Sequence, residues 1–191
     1  NGEPVNEKEL KKISRFMDVV RDYSQQPLYA HIESENFVPT AAGLASSASA
    51  YAALAAACNH ALSLNLSDKD LSRLARRGSG SASRSVFGGF VEWEKGHDDK
   101  TSFSHPIESD HWEDELSMII VVINDKAKSV SSRSGMALTR ETSRFYQYWL
   151  DLIEADIAEA KLAISDKDFQ RLGEVIEANG LRTVSYTHLR A

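Results

Sequence analysis

An α+β fold is the expectation for these 191 residues. Helical and strand-like patterns are mixed through the first part of the chain, and helical patterns alone close it. Between them, Leu116 to Ile123 is an unbroken, β-branched apolar run, the signature of a central strand buried on both faces.

The first helix begins at Asn6, with Glu9 three residues on to complete a capping box. Leu10, Ile13, Phe16, Met17 and Val20 then recur at helical spacing and predict one inward face. Leu28 to Phe37 alternates loosely and predicts a strand that delivers the chain to a loop at Pro39. A helix follows over Ser46 to Leu62, its alanines suggesting close packing against a sheet on most sides. Ser67 caps a short helix through Arg76, which Gly78 is placed to end. Val86 to Trp93 predicts a strand with Gly88-Gly89 inside it, and Gly96 to Glu115 a polar surface hairpin or connection. Lys126 to Gly135 reads as a polar, Ser-rich loop. A long helix spans about Ser143 to Ile164, with Phe145, Trp149, Leu152, Ile153 and Ile157 on one stripe. The last helix starts after Ser165-Asp166-Lys167-Asp168, carries Phe169, Leu172 and Ile176, and stops near Asn179-Gly180.

Composition narrows the function. A net charge of -6 argues against nucleic acid as the main partner, so an anionic ligand needs locally focused positive charge. The single Cys58 excludes an internal disulfide and fits a reducing, cytoplasmic compartment. Asn36 to Ser67 holds no Asp, Glu, Lys or Arg although the chain is 26% charged. Gly43, Ser46, Ser47 and Ser49 dilute it too much for a membrane span, leaving a soluble core helix. The histidines His31, His60, His97, His105 and His111 show no metal-ligand spacing, so no structural metal is expected.

Three segments can carry chemistry. Pro39-Thr40-Ala41-Ala42-Gly43-Leu44-Ala45-Ser46-Ser47-Ala48 places a glycine turn and two serines at the mouth of an uncharged helix. Free amide hydrogens there suit a phosphate, and Ser46 or Ser47 could also ligate a metal bridging phosphates. The plainer alternative is a glycine turn before a tightly packed alanine helix. No Gly-Lys-Ser/Thr follows, so it is not a Walker loop. Ser79-Gly80-Ser81-Ala82-Ser83-Arg84-Ser85 groups hydroxyls around a guanidinium whose fork matches a carboxylate or phosphate. Its alternative is a flexible Ser/Gly linker. Ser131-Ser132-Arg133 repeats that chemistry after the apolar run, whereas Arg76 and Arg77 read as helix-end charges complementing the dipole.

Read together, these segments make the chain resemble the mevalonate diphosphate decarboxylase family of the GHMP small-molecule kinase superfamily. The likeness covers about residues 1 to 182, extended by Val130-Ser131-Ser132, Gly135-Met136, Thr139 and Glu177 to Arg182. The Gly43 loop alone resembles the whole superfamily. Its Pro39-Thr40-Ala41-Ala42 lead-in together with Ser79 to Arg84 resembles the decarboxylases.

The resemblance implies a GHMP-kinase-like two-domain fold, a ribosomal S5 domain 2-like domain followed by an α/β sandwich-type one, incomplete at both ends. Residues 1–115 would be the remainder of the ATP-binding domain, 116–182 the start of the second, and 183–191 an atypical, foreign or mistranslated tail, with the active site in the cleft between the domains. It implies ATP and Mg²⁺ as cofactors, mevalonate 5-diphosphate as substrate, and release of phosphate and CO₂ to leave isopentenyl diphosphate. Ala42, Gly43, Leu44, Ala45, Ser46, Ser47 and Ala48 would hold the ATP phosphates, with Ser47 polarising the transferring group and Mg²⁺ arriving with ATP. Ser79, Gly80, Ser81, Ala82, Ser83 and Arg84 would hold the substrate, Arg84 on its carboxylate. Ser132, as a catalytic group, and Arg133 would meet the substrate near its diphosphate or reacting end.

The family's substrate-facing Tyr and Lys and its catalytic aspartate have no counterpart here, so the chain alone is expected to be inactive. The resemblance further implies a homodimer that engages neither nucleic acid nor membrane. Another GHMP enzyme, such as phosphomevalonate kinase or mevalonate 3-kinase, is the alternative within the class. A non-catalytic ligand sensor on the same fold is the alternative outside it.

Overall fold

The structure, a computed structural model, describes residues 4–37, 45–121, 132–143 and 145–187, without the side chains of 132, 133 and 183–187. It divides into one unit that runs to Pro106 and a second that starts at Ile107. Helices and a small sheet together bear out the α+β expectation.

In the first unit, α1 (Glu7–Ser24) starts as expected: the Asn6 side chain accepts a hydrogen bond from the Glu9 amide. Phe16, Met17 and Val20 form its buried face, whereas Leu10 is exposed. They pack on Ala52, Ala55 and Cys58 of α2 (Ser46–Ala61) and on Leu74 and Ala75 of α3 (Asp68–Gly78). Only the stripe of Ala48, Ala52, Ala55 and Cys58 is buried on α2, while Ala50, Ala53, Ala56 and Ala57 face outward. The alanines thus serve close helix-to-helix approach on one face, not burial against a sheet on most sides.

Small residues fix the approach of α3 as well. A side-chain carbon at Gly78 would overlap the ring of Tyr51 on α2, and that ring meets Phe16 edge-on at 5.3 Å. Glycine here permits the close passage of two helices. The helix itself is capped by Ser67, whose hydroxyl oxygen accepts from the Asp70 amide.

After α3 the chain makes a 3₁₀ turn, Gly80–Ser83, so Ser79 to Ser85 is ordered rather than a linker. The expected strand over Val86 to Trp93 is shorter: only β1 (Val91–Trp93) forms, antiparallel to β2 (Ser104–Pro106). Gly89, at a positive φ of 69°, falls in the stretch that stays out of the ladder. The connection that follows is not merely surface, since Ser102, Ser104, Ser109 and Trp112 are buried.

Two predicted strands are absent among the described residues. Residues 28–37 form no ladder, and Tyr29 is 96% exposed. Residues 116–121 likewise pair with nothing, and Met118 is 89% exposed. An apolar run becomes a buried strand only when a neighbour satisfies its backbone groups and covers its faces. No such neighbour exists among the described residues; Val122 and Ile123 lie outside them.

In the second unit, Ser132–Thr142 is helix α4, so the expected loop at Ser132 to Gly135 is helical; residues 126–131 lie outside the described set. Helices α5 (Tyr146–Ser165) and α6 (Phe169–Thr187) pack on each other. The turn between them is closed by Asp168, which accepts from the Arg171 amide. Helix α6 passes through Asn179-Gly180 instead of stopping there. Asn179 and Arg182 both bond Asp156 of α5, at 2.8 and 2.6 Å, which holds the helix across the glycine.

Candidate functional site

Helix α2 opens without a side-chain cap. Its N-cap is Ala45, held at a φ of 51°, and its first turn carries no acidic residue. α1 and α3, by contrast, open with Asn6 or Ser67 caps and with acids in the first turn. A helix start lacking both devices keeps its positive end available to an anion. Those features fit the phosphates of a nucleotide.

The fold brings the Ser79 turn to this same helix start. The hydroxyls of Ser47 and Ser79 stand 3.5 Å apart although 32 residues separate them in the chain. Two elements expected to bind parts of one reacting pair are therefore adjacent.

Buried hydrogen bonds hold the turn. Ser72 of α3 donates its hydroxyl to the Ser83 carbonyl at 3.0 Å and accepts from the Ser104 amide at 2.8 Å. The Ser104 hydroxyl donates to Ser83 Oγ at 2.8 Å, and Ser83 Oγ donates to the Gly80 carbonyl at 2.9 Å. Ala82 and Ser83 are completely buried, and Ser83 spends its hydroxyl inside this chain of bonds. Their surroundings suit a support for the turn, while Ser79, Gly80 and Ser81 are partly accessible and Arg84 is exposed.

Trp93 of β1 lies beneath the turn. A side-chain carbon at Gly80 would come within 3.0 Å of its ring, and the Arg84 guanidinium sits 5.9 Å from the ring centroid. The indole N–H donates to Ser102 Oγ at 3.1 Å, which fixes the ring's orientation.

The neighbouring arginines have a different task. Asp99, in the β1–β2 loop, receives Arg73 Nη2 at 2.7 Å, Arg76 Nη2 at 2.6 Å and Arg77 Nη1 at 3.3 Å. Burial pushes the Asp99 carboxyl up, but the bonds from Arg73 and Arg77 and the charges of Arg73 and Arg76 outweigh it and hold it below its ordinary value. Arg76 and Arg77 thus anchor a loop rather than simply complement the helix dipole. Arg84 forms no ion pair among the described residues, and its guanidinium is exposed beside the Trp93 ring.

Other candidates fall elsewhere. Ala42, Gly43 and Leu44 lie outside the described residues. Ser46 is at the start of α2, where its carbonyl accepts from Ser49 Oγ, and Ala48 is buried. Ser132 and Arg133 occupy the first turn of α4, in the second unit. Sequence reasoning missed Ser72, Trp93, Ser102 and Ser104, the supports of the turn. Nothing in their local spacing marks them, because each acts across a chain reversal.

Residues 1–104 match the model of the diphosphomevalonate decarboxylase-like N-terminal domain, and residues 118–186 that of the mevalonate 5-diphosphate decarboxylase C-terminal domain. The chain belongs to the diphosphomevalonate decarboxylase family. A diphosphomevalonate decarboxylase of Ganoderma lucidum is 41% identical over 172 residues, 88% of this chain and 42% of its own length. The crystal structure of mevalonate diphosphate decarboxylase from Staphylococcus aureus superposes with a TM-score of 0.93 at 70% identity, over 97% of this chain and 56% of that one. A structure of MDDEF in complex with MVAPP, AMPPCP and magnesium gives a TM-score of 0.89 at 61% identity, over 96% and 56%. The GHMP-type fold of the diphosphomevalonate decarboxylases is therefore that of this chain. The chain spans between about two fifths and a little over half of the length of these relatives.

Proposed function

We propose that the protein takes part in ATP-dependent decarboxylation of mevalonate 5-diphosphate to isopentenyl diphosphate, with release of ADP, phosphate and CO₂. The observation that carries this reading is the adjacency of the uncapped α2 start and the Ser79–Arg84 turn, joined through Ser47 and Ser79. It is supported by a relative described in complex with MVAPP, AMPPCP and magnesium. ATP with Mg²⁺ supplies the phosphoryl group that converts the tertiary C3 hydroxyl into a leaving group.

In this reading each residue takes a distinct role. The amides from Ala42 to Ser47 cradle phosphate oxygens, with Ser46 and Ser47 adding hydroxyl donors, while the Ala48 amide donates to the Ala45 carbonyl at 2.7 Å and braces the helix start. Ser47 has no His or Lys paired with it in the motif, so it polarises and positions rather than attacks. Ser79, Gly80 and Ser81 line the substrate side, and Ala82 and Ser83 hold the turn beneath them. Departure of phosphate builds positive charge at C3, and electrons from the carboxylate must flow towards that carbon as CO₂ leaves. Arg84 grips the carboxylate in the orientation this requires without supplying a base. In this reading Ser132 and Arg133 approach the diphosphate or the reacting end, and residues 116–182 belong to the second domain.

A chimera tests the reading. This chain is exchanged for the corresponding segment of the Staphylococcus aureus enzyme, and CO₂ and ADP are measured with mevalonate 5-diphosphate, ATP and Mg²⁺. Equal release of both is expected. ADP without CO₂ would identify a kinase instead, and neither product from a folded chimera would contradict catalysis by this segment.

A further inference from the structure

The β1–β2 hairpin carries a second set of chemistry-bearing side chains. Glu92 and His105 are cross-strand partners, and Glu94 follows Glu92 by two residues. Strand alternation therefore puts all three on one face. Their ligand atoms all lie within 4.8 Å of one another. His105 Nε2 is 3.2 Å from Glu94 Oε1 and 3.9 Å from Glu92 Oε2. Bonds of about 2.0–2.1 Å around a tetrahedral zinc ion put neighbouring donors roughly 3.4 Å apart, between those two separations.

The far side of the imidazole is also arranged. His105 Nδ1 lies 3.1 Å from the carbonyl of Pro106, which can only accept. A neutral ring therefore carries its proton on Nδ1 and turns the Nε2 lone pair towards the two carboxylates. A backbone carbonyl behind a metal-binding histidine is the usual support that fixes tautomer and ring orientation. In the linear sequence this set is hidden, because His105 is 11 residues beyond Glu94 and only the hairpin closes the gap.

We propose that Glu92, Glu94 and His105 form a binding site for a divalent transition-metal ion, Zn²⁺ foremost. The imidazole nitrogen and the close spacing favour such an ion over Mg²⁺, which takes oxygen donors in an octahedron. The site is thus distinct from any Mg²⁺ that accompanies a nucleotide. A bound ion clips β1 to β2, one residue from Trp93, the floor of the Gly80 turn.

The untagged chain, freed of metal with a chelator, is titrated with Zn²⁺ by calorimetry and with Co²⁺ by absorbance. One equivalent is expected to bind, with the visible bands of tetrahedral Co²⁺ and no displacement by millimolar Mg²⁺. His105→Ala and Glu94→Gln should each weaken binding about tenfold or more, and Zn²⁺ should raise the melting temperature of the wild type but not of either variant. Glu94 is exposed, so E94Q decides the matter if H105A fails to fold. No Zn²⁺ binding, or binding undiminished in E94Q, overturns the site. In that case the three side chains are a protonated imidazole held between two carboxylates.

Discussion

Asp99 shows how one residue can secure a site it never touches. Arg73 and Arg76, both largely buried, converge on its carboxylate and tie the β1–β2 loop to α3. Because bonding holds its folded pKa below the ordinary value of about 3.9, its contribution is full above that value and fades as pH falls through the folded pKa. The urea midpoint of the wild type should therefore fall progressively below about pH 4, and Asp99→Asn should flatten that acid limb. The same variant removes the charge that Arg76 and Arg77 pair with at neutral pH, whereas Arg73 keeps Asp70 at 2.5 Å. A loss of about 1–2 kcal/mol is expected, less than for a fully buried pair because Asp99 is part-exposed. Gly78 is the complementary case, where bulk rather than charge is excluded. Gly78→Ala must displace Tyr51 and should cost about 1–3 kcal/mol, read as a lower urea midpoint with an unchanged slope.

Among elements, the serine chain linking α3, the 3₁₀ turn and β2 matters most. Ser72→Ala orphans the Ser104 amide and the Ser83 carbonyl at once. Each buried orphan costs about 1–3 kcal/mol, so the variant should be at least as unstable as Gly78→Ala and should show faster hydrogen exchange at Ser104. Helix starts were readable from Asn6 and Ser67 because capping is local chemistry, as was the turn at Ser79 to Ser85. Strands were not: residues 28–37 and 116–121 have the composition of strands, but strand formation depends on a partner that no local pattern supplies. The end of α6 was misread for a related reason. Asn179-Gly180 is a stop signal in isolation, yet Asp156 on α5 bonds both Asn179 and Arg182 across it.

At the scale of the whole molecule, family membership was legible chiefly from two short segments, Pro39 to Ala48 and Ser79 to Arg84, whose residue order resembles that of the decarboxylases. Their adjacency was not legible, because it arises from alanines that let α2 approach α1 and α3 and from a glycine that lets α3 pass Tyr51. The division of labour among four arginines was equally hidden: Arg73, Arg76 and Arg77 converge on Asp99, while Arg84 faces solvent beside Trp93. That contrast makes Arg84 the residue on which the functional reading turns. CO₂ release by the chimera with the Staphylococcus aureus enzyme, compared with and without Arg84→Ala, tests it most directly. The account predicts a fall of about a hundredfold or more in kcat with the melting temperature unchanged; equal rates in the two proteins would contradict it.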